Sequence, residues 1–94
     1  MRAPYKLDDA GHSLDRFIER HYSVGQKPLR SVAEVILKYV VSIAVHVEDV
    51  PREGQEIWRG QHAYNSVVLV VRDGVVRTVL APNSWVPGLR ETRR

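Results

Sequence analysis

Cysteine is absent from this chain, which excludes a disulfide scaffold, a thiolate metal site and a thiol nucleophile. Long hydrophobic runs are missing as well. The longest mostly apolar stretch, Val35 to Val47, is interrupted by Lys38, Ser42 and His46, and is too short and too polar to span a bilayer. No basic-then-apolar start reads as a signal peptide, so a cytoplasmic protein with no membrane partner is expected. The chain has no Gly-rich phosphate loop and no zincin, nucleophile-elbow or calcium-loop pattern. Ser13, Ser66 and Ser84 lack any signature of an activated nucleophile. His12, His21, His46 and His62 have no metal-ligand spacing with carboxylates, so neither a metal site nor a cofactor is expected.

What is present fits one globular domain. The 94 residues are enough for a real but modest core, and the apolar fraction of 44% argues against disorder. A net charge of +3 mildly favours a polyanionic partner. Its distribution says more. Glu48, Asp49, Glu53 and Glu56 crowd one segment against Arg52 alone, which leaves the remainder of the chain more basic than the total implies.

The strongest local pattern runs from Ser66 to Ala81. Two β-branched runs flank Asp73-Gly74, a pair suited to a two-residue turn with positive φ at both positions. A simple register then sets Arg72 against Val75, Val70 against Arg77, Leu69 against Thr78 and Val68 against Val79. One face carries Val67, Leu69, Val71, Val76, Thr78 and Leu80 and must be covered. The other carries Arg72 and Arg77 among small aliphatics.

Upstream, residues 1–7 read as a loose lead-in. Asp8 or Asp9 is placed to cap a helix running to about Tyr22, which Gly25 and Pro28 stop. Leu14, Phe17, Ile18 and His21 fall on its core-facing arc, and His12, Arg16 and Arg20 form a row on the opposite side. Three stacked cationic or titratable groups repel one another weakly, a cost a purely structural surface does not need. Asp15 and Glu19 are close enough to neutralise the row, which is the plainer reading. A second helix is expected from Leu29 or Ser31, with Ser31-Val32-Ala33-Glu34 fitting a capping box and Val32, Val35, Ile36, Tyr39, Val40 and Ile43 at helical spacing. It runs to about Tyr39–Ser42, and Val41 to Glu48 fits helix or strand. Glu48 to Gln55 reads as a loop, and Ile57 to Tyr64 as a strand joined to the next through a tight Tyr64-Asn65-Ser66 connection. Trp85, Pro87 and Leu89 are expected to pack a last segment, and residues 90–94 form a basic tail. The expected fold is α+β, with two N-terminal helices on a three- to four-stranded antiparallel sheet.

The nonapeptide from His12 to Arg20, a second helix and a hairpin ending Val75-Val76-Arg77-Thr78-Val79 together resemble a group of small bacterial and phage domains. Those domains read H-x3-R-x3-R in the first helix and apolar-apolar-x-Thr-apolar in the last strand. They are grouped with the barnase, EndoU, colicin and RelE-type ribonucleases, and the similarity covers about residues 9–81. The resemblance implies a RelE/ParE-like fold and a metal-independent endoribonuclease toxin. His12 would be the acid/base, Arg16 and Arg20 phosphate clamps, and Thr78 a hydroxyl that positions substrate. The implied partners are RNA and an acidic antitoxin or immunity protein.

This agrees with the needs of metal-free RNA cleavage. The substrate's 2′-OH is the nucleophile, so the protein supplies a base, cations for the phosphorane and a donor for the leaving oxygen. Arg77 joins the candidates because it projects from the more polar hairpin face. In the simple register Arg77 and Thr78 point to opposite faces, so one cleft can hold only one of them. Trp58, His62 and Tyr64 on one strand face, with Arg72 on the hairpin, are candidates for stacking and gripping RNA. The competing class is a non-catalytic module that binds RNA or protein.

Overall fold

A computed structural model describes residues 3–82. The expected packing of Trp85, Pro87 and Leu89 and the basic tail lie outside the described residues. The architecture is α+β in two layers, two helices on one face of a five-stranded mixed sheet of order β1-β5-β4-β3-β2. In chain order the elements are β1 (Lys6–Leu7), α1 (His12–His21), α2 (Arg30–Ile43), β2 (Val45–Val50), β3 (Gln55–His62), β4 (Asn65–Arg72) and β5 (Val75–Val79). No helix among the described residues is long and apolar enough to cross a membrane.

The sheet has more strands than the three or four expected, for two reasons. Part of the supposed lead-in is β1, which adds to β5 in parallel, Lys6 against Val75 and Leu7 against Val76. Two residues carry no legible strand period, so only the exposed edge of β5 reveals this pairing. The segment left open at 41–48 divides cleanly: α2 continues to Ile43, and β2 takes up the alternation from Val45. The acidic run is therefore strand as far as Val50, with one 3₁₀ turn over Pro51–Glu53.

The Asp73-Gly74 hairpin forms as expected, with φ of 52° and 78° at its two turn residues. Beyond it the register differs. Leu69 pairs with Val79 and Val70 with Thr78, while Val71 pairs with Val76 and Arg72 with Val75. Arg77 is the extra residue of a β-bulge, so every position after it changes face. Val76 and Val79 both enter the core beneath the helices, with Val67, Leu69 and Val71. Thr78 and Leu80 move to the opposite face, where Leu80 joins Ile57, Val68 and Val70. Burial decides the slip: it places Val79, not the hydroxyl of Thr78, under the helices.

A second two-residue turn joins β3 to β4 at Ala63-Tyr64, with φ of 50° and 68° and His62 opposite Asn65. Left-handed φ at two non-glycine residues is uncommon, and the sequence offers no signal for it. Tyr64 thus lies in the turn, fully exposed, and not on the strand face of Trp58. Trp58, expected to be open, is buried in the main core.

On α1, Leu14 and Phe17 are buried, with Ile18 packed against them, as the periodicity requires. On α2 the buried stripe is Ala33, Leu37, Val40 and Val41. Of the residues expected to face inward, Val35 and Tyr39 are 69% and 63% exposed, and Val32 and Ile43 are also open. The capping box is not formed either: Leu29 is the N-cap, without a side-chain cap, and Glu34 pairs with Lys38 at 3.0 Å. Gly60 explains which face wins. A Cβ there would lie 2.6 Å from Cγ1 of Val40, so β3 admits α2 only because residue 60 has no side chain.

Candidate functional site

Asp8 builds the start of α1. Its carboxylate accepts from the backbone N–H of His12 at 3.0 Å, the N–H of Ser13 at 2.9 Å and the Ser13 hydroxyl at 2.6 Å. These bonds satisfy orphan donors of the first helical turn and place His12 as its first residue, exposed. Burial opposes the charged form of Asp8, but the Ser13 hydroxyl, the two N–H groups and the nearby His12 outweigh it, so its pKa falls below the ordinary 3.8.

His12 and Arg77 share a surface cleft of about 550 Å³ beside the β1–β5 edge, completed by Lys6, Asp8, Asp9 and Val75. The bulge leaves the Arg77 side chain in solvent at this edge. Asp8 is engaged by the helix start, and Asp9 lies 3.8 Å from Lys6. A larger hollow of about 740 Å³ lies between the N-terminal segment and α2. Its charges are largely matched, Arg30 with Asp15 and Lys38 with Glu34.

The rest of the row on α1 is exposed but committed differently. Arg16 pairs with Glu19 at 2.8 Å. Arg20 donates from Nη1 to the Val79 carbonyl at 2.9 Å, tying the end of α1 to the end of β5. Ten residues of helix separate the two ends of α1 by about 15 Å, so His12 and Arg20 face different parts of the sheet edge. Thr78, half-buried opposite Val70, does not line the cleft of His12.

The candidates for RNA contact do not converge. His62 bonds the Tyr22 hydroxyl at 3.0 Å and stacks near Phe17 and Tyr22, at centroid distances of 5.9 and 5.8 Å. This cluster sits under the C-terminal end of α1. Tyr64 is in the adjacent turn, and Arg72 is at the far end of β4, close to Gly54.

His21 belongs to the same aromatic cluster. Its Nε2–H donates to the Leu80 carbonyl at 2.9 Å, and its Nδ1 is buried without a partner. Burial lowers its pKa below 6.5, the Leu80 carbonyl opposes that, and nearby His62 adds to it. A depressed folded-state pKa means that the unfolded chain binds the proton more readily, so stability is lost as pH falls. The loss starts below 6.5 for His21 and resumes below 3.8 for Asp8. Thermal melts between pH 7.5 and 5 should show Tm falling with pH. His21→Gln, which keeps a donor for Leu80, should flatten that slope.

Sequence reasoning missed one grouping. His46, Asp49 and Glu56 offer donor atoms that all lie within 4.8 Å of one another. Residues 46 and 49 occupy opposite faces of a regular strand, and only the shift of register between His46 and Glu48 turns them to one side.

No family model matches this chain, and neither a curated protein nor a solved structure shows significant similarity to it. The fold and the cleft define it as a two-layer α+β domain with an imidazole and a guanidinium at one sheet edge.

Proposed function

We propose that the chain is a metal-independent endoribonuclease of the RelE-like toxin type, acting at the cleft between the start of α1 and the start of β5. The carrying observation is that His12 and Arg77, sixty-five positions apart in sequence, line one open cleft with Lys6 beside them. In this reading His12 takes the proton of the substrate 2′-OH as that oxygen attacks phosphorus. The P–O5′ bond breaks, the leaving oxygen is protonated from water, and a 2′,3′-cyclic phosphate remains. Arg77 holds the charge that builds on the phosphorane, and Arg16, which shares an adjoining hollow with His12, receives the neighbouring phosphate by exchanging its Glu19 partner. Arg20 serves chiefly as a strut through its bond to Val79. Occlusion by an acidic antitoxin would act by covering this same edge.

The test is a gel assay of purified protein with single-stranded RNA in EDTA. Cleavage leaving a cyclic phosphate, with the matching DNA intact for want of a 2′-OH, is expected. RNA that is bound but never cut at any pH would reject the nuclease.

A non-catalytic protein-binding module is the second reading. It is favoured by the outer face of α2, where Val32, Val35 and Tyr39 form an apolar row open to solvent.

A further inference from the structure

We propose that His46, Asp49 and Glu56 form a binding site for a divalent first-row transition ion, with Zn²⁺ the best-matched, that clamps β2 to β3. The site lies three strands across the sheet from Arg77 and plays no part in the cleavage proposed above.

The β2 bulge is the first argument. His46 pairs with Trp58 and Glu48 with Ile57, so Val47 is the extra residue and His46 and Asp49 reach the same face. Bulges of this kind re-aim side chains. Asp49 then stands directly opposite Glu56 on the neighbouring strand. Like charges at facing positions destabilise a sheet, and a cation between them reverses the sign of that contribution.

The donors are also held in place. His46 Nε2 and Asp49 Oδ1 are 2.8 Å apart. Trp58 Nε1–H donates to Glu56 Oε1 at 2.9 Å, and the His46 and Trp58 rings meet edge to face at 5.4 Å. One indole thus orients both an imidazole and a carboxylate, the role outer groups play around metal ligands. Donors at the usual Zn–N and Zn–O lengths of about 2.0–2.2 Å sit roughly 3.4 Å apart around a tetrahedral ion, so the His46–Asp49 pair opens from its 2.8 Å hydrogen bond and the wider separations, all within 4.8 Å, close.

Chemistry selects the class of ion. Two carboxylates balance a 2+ charge, and the imidazole favours Zn²⁺, Co²⁺ or Ni²⁺ over Mg²⁺ and Ca²⁺, which prefer all-oxygen shells. Three protein donors leave remaining positions to water. Because His46 and Asp49 come from β2 and Glu56 from β3, an ion there cross-links the exposed edge strand to the sheet. Binding to the folded chain alone must then raise Tm.

The experiment is a titration of the chelator-treated full chain with Zn²⁺, followed by calorimetry and thermal melting. One saturable site of micromolar affinity and a rise in Tm with Zn²⁺ are expected. His46→Ala, Asp49→Asn and Glu56→Gln should each weaken binding at least about tenfold, the lower end of what loss of even an outer-shell partner does. His62→Ala should bind as the parent does. Co²⁺ should quench the fluorescence of Trp58, and Trp58→Phe should lose that quenching at saturating Co²⁺ and bind more weakly, because Glu56 loses its indole N–H donor. The proposal is overturned if Zn²⁺ shows no saturable binding up to millimolar concentration. Equal affinity for Mg²⁺, or binding that survives in Asp49→Asn and Glu56→Gln, overturns it too. All of these readouts are independent of RNA cleavage.

Discussion

His12→Ala is expected to slow RNA cleavage by about 10²–10⁴-fold, the usual contribution of a positioned general acid or base. The side chain is exposed at the first turn of α1, and its backbone N–H, not its ring, makes the bond to Asp8. Truncation therefore removes the imidazole while leaving the helix start intact, and circular dichroism and Tm should be nearly unchanged. Arg77→Ala should lower turnover and weaken RNA binding together, since its charge meets both bound phosphate and phosphorane. Binding should fall steeply with salt, and the slope should be shallower in Arg77→Ala because one phosphate contact is lost. Thr78→Ala, half-buried opposite Val70 and outside the cleft, should leave cleavage near the parent rate. Unchanged cleavage by His12→Ala would remove His12 from the chemistry. Thr78→Ala with the larger loss would move the site away from that cleft.

Leu69→Ala is expected to cost about 2–5 kcal/mol, the range for deleting a buried leucine side chain with partial collapse of the cavity. Leu69 is fully buried at the middle of the central strand, paired with Trp58 on one side and Val79 on the other. A domain of this size loses roughly 4–8 °C of Tm per kcal/mol, so the variant should melt tens of degrees early at the upper end of that cost. Urea unfolding should show a lower midpoint at unchanged slope, since the surface exposed on unfolding is nearly the same. Val35→Ala is the matched comparison. Its side chain lies open on the outer face of α2, and its loss should stay within about 0.5 kcal/mol. Equal costs at the two positions would mean that α2 packs through its other face.

That comparison turns on what local pattern can and cannot specify. The sequence by itself determined the two helices, the buried arc of α1 and the hairpin at Asp73-Gly74, and narrowed the carboxylate at the start of α1 to Asp8 or Asp9, of which the structure uses Asp8. Each depends on residues within one or two turns of each other. The exposed row of His12, Arg16 and Arg20 was legible for the same reason, whereas the buried place expected for Thr78 under the helices rested on a register without the bulge and does not hold.

Tertiary structure decided the rest. The helix α2 carries apolar side chains around most of its circumference, so periodicity could not choose a face. Gly60 chose it, by letting the backbone of β3 meet Val40. The bulges at Arg77 and Val47 were invisible because a strand slips by one residue only when a distant surface rewards it. At β5 that reward was burying Val79 in place of Thr78. At β2 the slip brings His46, Asp49 and Glu56 together. β1 exists only because β5 offers it an edge. The gathering of His12 with Arg77, on which the proposed activity rests, follows from the same packing of α1 along β5, a long-range event that no spacing in the chain encodes.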